Sequence, residues 1–207
     1  CKRNPTQDGQ SDNMIFRQLF EPISSTYTYL LACEQTGQAV LIDAVLTTWQ
    51  RDLDELARYS PLKINLQGGQ DAMTWDEGCR FLEEALRVEA AIDLPVCHET
   101  HRGRLFYTPW TTAAYLREFG HLKLTADYSH WVNVCERLPD DQAAALDLAN
   151  RHAGHIHGRV GYAEGPQVPD PSAPEYAAEL VWHETQWQQI CDRRAAAGDE
   201  FLTFTPE

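Results

Sequence analysis

No apolar stretch of the chain runs beyond a few residues, as at Tyr29 to Cys33, against the roughly 20 that a membrane-spanning helix needs. No membrane span is expected. Basic residues are scarce and scattered: 17 Lys and Arg face 31 Asp and Glu, a formal net charge of -14. A partner reached by neutralising its phosphates would meet a repelling field, so nucleic acid is not an expected partner. The cysteines Cys1, Cys33, Cys79, Cys97, Cys135 and Cys191 include no CxxC pair, and no charged-then-apolar segment with a cleavage site opens the chain. That usage points to reduced thiols in a cytoplasmic protein. Internal sequence repeats are also missing. What is present, 207 residues with 43% hydrophobic and 23% charged side chains, is the composition of a soluble globular chain of one large domain or two small ones.

Residues 1–13 are polar and patternless and read as a disordered leader. Cys1 on such a tether has the form of a lipid-modified amino terminus, but the signal that would direct that modification is absent, which favours a leader placed before a start at Met14. From Met14 to Val45 the pattern is strand, turn, strand: IFRQLF, then STYTYLLACE, a turn at Gln35 to Gln38, then AVLIDAV. A helix, TWQRDLDELARYS, follows. Thr47 or Thr48 caps it, Trp49, Leu53, Leu56 and Ala57 share its apolar face, and Ser60-Pro61 ends it. Residues 14–60 thus form a small antiparallel β segment with one helix.

From residue 61 the rhythm changes to short buried strands separated by longer amphipathic helices, the signature of parallel βα units. The strands read as KINLQGG, LPVCHET, LKLTADYSHW, HIHGRVG and FLTFTPE. Helices are expected over TWDEGCRFLEEALRVEAA, from about Thr111 to Phe119, from Asp140 to Arg151, and over EYAAELVWHETQWQQICDRRAAAG after a Pro-rich loop. The fold class is therefore α/β, with residues 61–207 a five-stranded portion of a TIM-barrel-like parallel array. A closed barrel usually takes about 250 residues, more than this chain has.

Polar residues gather at the carboxyl ends of these strands: His98, Glu99 and His101, then Asp127 and His130, then His155 and His157, then Glu207. Parallel α/β folds place their active sites there. One such residue is more often a helix cap or a satisfied hydrogen-bonding group, but four strand ends in succession each carry a metal-competent side chain. On HIHGR the two-residue period puts His155 and His157 on one face, with His157 nearer the carboxyl end and the better ligand; His155 reads as a hydrogen-bonded core histidine. Two glutamates, one aspartate and one histidine make an oxygen-rich set suited to Mn, Mg, Co or Zn and unlike a structural zinc site.

ETHRGR, LTADYSHW, HIHGRVGYAEGPQVPDP and the terminal TPE together resemble the sugar phosphate isomerase/epimerase family of xylose-isomerase-like TIM barrels, from about Lys63 to Glu207. The resemblance implies a divalent metal held by Glu99, Asp127, His157 and Glu207, with Glu99 and Glu207 as the acid/base pair that moves a proton through a metal-stabilised enediolate. It implies a small-molecule substrate, a sugar or other hydroxy-carbonyl compound, with His130 binding it in the family's Asp-x-x-His pattern. His101, Arg102 and Arg159, with Arg104, are further candidates to hold substrate, the arginines through a hydroxyl, carboxylate or phosphate. The epimerases carry a substrate arginine further past the metal histidine, where this chain has Ala163.

The first segment does not share that resemblance. Residues 14–60 resemble the amino-terminal part of persulfide dioxygenase and related metallo-β-lactamase-fold hydrolases, whose next strand delivers a THxHxDH metal motif; this chain continues PLKINLQGGQD instead. Two partial folds meet near Ser60-Pro61. Beside a metal-dependent isomerase or epimerase, the sequence therefore admits a chimeric or truncated protein that folds without turnover, with a homo-oligomer as one way to complete its open sheet. It also admits a relative of the dioxygenase and glyoxalase-type hydrolases that lacks their metal motif.

Overall fold

The computed structural model describes residues 14–22, 25–34, 38–44, 48–56, 58, 60–92 and 94–206. The leader 1–13, the turn at Gln35 to Gly37, Thr47 and Glu207 lie outside the described residues. The chain divides into two compact units, Cys1–Leu62 and Lys63–Glu207.

In the first unit, β1 (Met14–Glu21), β2 (Thr26–Cys33) and β3 (Gln38–Ala44) form an antiparallel meander. The register runs from Met14 opposite Cys33 to Glu21 opposite Thr26, and from Tyr29 opposite Ile42 to Ala32 opposite Ala39. Aromatic pairs cross it on one face, Phe16 on Tyr29 and Phe20 on Tyr27, with ring centroids 5.9 and 5.0 Å apart. Helix α1 (Trp49–Leu56) follows, where Thr48 donates to Asp52 in its first turn at 3.2 Å.

The second unit is an α/β array with a curled sheet of five parallel strands: β4 (Ser60–Leu66), β5 (Val96–Glu99), β6 (Leu124–Ala126), β7 (Ala153–Gly158) and β8 (Thr203–Pro206). Neighbours in sequence are neighbours in the sheet, with Ile64 beside Val96, His98 beside Leu124, Thr125 beside His155 and His157 beside Thr205. Ser60 and Pro61 open β4.

Helices α2 (Trp75–Glu89), α3 (Pro109–Glu118), α4 (Ser129–Cys135), α5 (Ala143–His152) and α6 (Ala177–Ala196) connect the strands. A capping box starts α2, where Glu77 N donates to the Thr74 hydroxyl and Thr74 N to the Glu77 carboxylate. Thr108 caps α3, with Pro109 in its first turn. Helix α4 was not expected: LKLTADYSHW reads as one strand, but only Leu124–Ala126 is extended and Ser129 already begins the helix. Leu82, Tyr115, Leu116, Leu124, Ala126, Trp131, Ile156 and Ile190 form the core between sheet and helices, each at most 2% exposed. By the two-residue period, side chains at 65 on β4 and at 67 just beyond it, 97 and 99 on β5, and 155 and 157 on β7 face the other way.

Candidate metal centre

Glu99 ends β5 and is 2% exposed. A carboxylate taken from water needs donors, and β4 supplies them. Asn65 Nδ2 donates to Glu99 Oε2 at 3.0 Å, and Gln67 Nε2 lies 3.2 Å from each carboxylate oxygen. Burial pushes the Glu99 carboxyl up to about 7 and Asp127 adds to the rise, while His157, Asn65 and Gln67 oppose it.

Asp127 directly follows β6 and is fully buried. Two hydroxyls fix it. Thr100 Oγ1 both donates to the Asp127 carbonyl and accepts from its N–H, each at 2.9 Å, and Ser129 Oγ donates to Oδ1. The other oxygen, Oδ2, is buried without a hydrogen-bond partner and has three cationic or potentially cationic neighbours, His130 Nε2, His157 Nδ1 and Arg159 Nε, each at 3.6 Å. Burial alone would raise this carboxyl; the neighbours and the Ser129 hydrogen bond win, holding it below the ordinary aspartate value.

His157, on β7, places Nδ1 3.8 Å from Glu99 Oε2, and its Nε2 lies 3.3 Å from Asn65 Nδ2. One ligand atom each from Glu99, Asp127 and His157 lie within 4.8 Å of one another, all three residues buried. Two carboxylates and one imidazole, with a buried Asp127 oxygen lacking a hydrogen bond, fit a divalent cation in donor chemistry and in unmet bonding capacity. His101 and His130 stand beside this group, ring centroids 3.8 Å apart, and with Glu99 they make a second set of ligand atoms within 4.8 Å.

Not every sequence candidate joins the group. Arg102 Nη1 donates to Asn133 Oδ1 at 3.1 Å on the exposed side, whereas Arg159 reaches Asp127. The Arg104 backbone closes a turn onto the His101 carbonyl at 3.1 Å. His155 bonds through Nδ1 to the Thr203 hydroxyl (2.7 Å) and through Nε2 to the Thr205 hydroxyl (3.0 Å), a satisfied interior histidine. Burial lowers it to about 3. Glu207 is outside the described residues. Asn65 and Gln67 went unnoticed in the sequence, although the signal was there: on KINLQGG they share the face of a strand end aligned with Glu99. His183 was missed too; wholly buried on α6, it accepts from Gly161 N at 3.1 Å through Nε2.

The second unit has the fold of a five-stranded portion of a TIM-barrel-like parallel array, with metal-competent residues near successive carboxyl ends of its strands. A solved structure described as the probable 3-DHS dehydratase AsbF of Bacillus anthracis superposes with a TM-score of 0.51 at 18% identity, over 80% of this chain and 65% of that one. Among curated proteins, mitochondrial persulfide dioxygenase ETHE1 of Bos taurus is 49% identical over 51 residues, 25% of this chain and 20% of the relative. That match is confined to one segment, and the chain spans about a fifth of the length of these relatives. A GMP synthase [glutamine-hydrolyzing] of Cellvibrio japonicus is 24% identical over 142 residues, 68% of this chain and 26% of the relative. No protein-family model matches.

Proposed function

We propose that the chain is a divalent-metal-dependent isomerase or epimerase acting on a sugar, a sugar phosphate or a similar hydroxy-carbonyl compound, by moving a proton on the carbon beside the carbonyl. The observation that carries this reading is the buried trio Glu99, Asp127 and His157, delivered by three successive parallel strands. A divalent ion there would act as a Lewis acid on the carbonyl and its neighbouring hydroxyl, making the C–H between them acidic. Glu99 and Glu207 are the proposed acid/base pair, and Glu207 the proposed fourth ligand. Gln67 and Asn65 orient the Glu99 carboxylate, so its free lone pairs are aimed rather than disordered. His130, His101, Arg102 and Arg159 are the proposed substrate side of the site.

Removing a proton beside a carbonyl is also the first step of dehydrating a hydroxy-carbonyl compound, the reaction named for AsbF, so the assay should register the shared step. The protein would be loaded with Mn²⁺, analysed for bound metal, and incubated in D₂O with hydroxyaldehydes, ketoses, their phosphates and 3-dehydroshikimate. Metal-dependent C–H exchange, reduced at least about 10²-fold in Glu99→Gln, is expected. Metal-free protein after loading would overturn the reading. Bound metal without exchange on any compound would favour a second reading, a fold that binds metal without turnover, which the open five-stranded sheet supports.

A further inference from the structure

We propose that the antiparallel sheet of the first unit is an interface between two copies of the chain, packed face to face across a two-fold axis through the outer side of β1 and β2. The proposal does not depend on the metal centre.

One face of this sheet is already buried, with Thr28, Leu30 and Ala32 of β2 at most 4% exposed. An antiparallel sheet covered on one side normally alternates, turning polar side chains to water on the other. Here the second face is apolar too. By register, positions 14, 16, 18 and 20 of β1 lie opposite 33, 31, 29 and 27 of β2 on a single face, and none of the eight is charged. Met14 is 67% exposed, Phe16 57%, Phe20 47% and Tyr27 43%. Tyr27 and Tyr29, with ring centroids 6.2 Å apart, join the two cross-strand aromatic pairs into one continuous strip. The amide on this face, Gln18, donates to the Tyr29 hydroxyl at 3.3 Å, so it enters an apolar contact already bonded. A contiguous exposed apolar surface marks an interaction site. Aromatic side chains and Met, with charge depleted, are the composition of the buried core of a protein interface.

Charge selects the occupant. A strongly basic or acidic partner would find no charge on this strip to pair with. A second copy brings the same net charge of -14, so two chains repel wherever their charged faces meet, and the uncharged strip lets them touch without setting like charges side by side. A two-fold axis lays the strip on itself, two sheet faces about 10 Å apart with their aromatic side chains interdigitated. Because both copies use the same face, this contact closes at two chains.

Hydroxyl-radical footprinting of the whole protein across a concentration series, alongside its mass by sedimentation, tests this. Met14, Phe16, Phe20 and Tyr27 are expected to lose reactivity together as the mass rises above the 23.5 kDa of one chain. Phe16→Lys and Tyr27→Lys each set an uncompensated charge on the strip and should weaken association at least about 10-fold. Val181→Lys, at an apolar residue 61% exposed on α6, should leave it unchanged. Circular dichroism checks that each variant folds, and the wild-type footprint decides the matter should one not. Four residues equally reactive at every concentration would overturn the interface, whatever the mass; so would unchanged association in both folded strip variants. A constant mass of one chain, with binding to phosphatidylcholine vesicles that Phe16→Lys abolishes, would give the face to a lipid surface and overturn it as well.

Discussion

Asn65 contributes no charge, yet its amide nitrogen lies 3.0 Å from Glu99 Oε2 and 3.3 Å from His157 Nε2. Removing such a support typically costs 10–100-fold in metal affinity, so Asn65→Ala should weaken Mn²⁺ binding by about that factor in a calorimetric titration while leaving the fold intact. His183 shows a different kind of residue effect. Burial lowers this imidazole to about 4, with Asp127 opposing the shift. Its ordinary value is near 6.5, so between those two pH values the unfolded chain binds the extra proton, and stability falls as pH falls. The full effect is about 3 kcal/mol. Gln can accept the same Gly161 hydrogen bond and does not titrate, so His183→Gln should show a smaller acid loss than wild type in denaturant unfolding between pH 7 and pH 4.5. Equal losses would show that His183 is not the source.

Elements fix where these residues stand. The Thr74 and Glu77 capping box starts α2, and Thr74→Ala should cost about 1 kcal/mol in unfolding free energy without touching metal binding. Gly161 is more demanding: a Cβ there would stand 2.5 Å from the Ser129 carbonyl oxygen and 2.7 Å from its Cα. Gly161→Ala must displace the backbone at the start of α4, with about 1–3 kcal/mol lost and weaker metal binding, both visible in one thermal melt with and without Mn²⁺. The sequence shows α2 well because its cap, period and end agree. It misplaces α4 because Tyr128 to Val132 are all at most 1% exposed. A run buried on every side carries no period to tell strand from helix. What makes it a helix is tertiary: Trp131 Nε1 donates to the Phe106 carbonyl at 2.9 Å, and the Tyr128 hydroxyl donates to Asn150 at 2.8 Å. The strand-end positions of Glu99 and Asp127 were legible because βα topology predicts where carboxyl ends lie; the amides of Asn65 and Gln67 carried the same positional signal at the end of β4, but without a charge to mark them they were passed over.

At the scale of the whole molecule, the described edge of β8 pairs only with β7, and an edge strand offers its unpaired backbone to another chain. Light scattering across a concentration series should therefore give masses above the 23.5 kDa of one chain. A constant monomer mass would show that the edge is guarded, with Pro206 in β8 the natural guard. Among the described residues the parallel sheet is open, without the hoop of a closed barrel that would otherwise hold the spacing between strand ends. Thr100 takes up that task for the two strands that matter most. Its hydroxyl both gives to and takes from the Asp127 backbone, so it serves as one extra rung beyond the end of the β5–β6 ladder. The Glu99 and Asp127 main chains are thereby clamped to one another independently of barrel closure. The span between the carboxylates is set by backbone geometry, and the centre should act as a fixed gauge that sorts cations by radius.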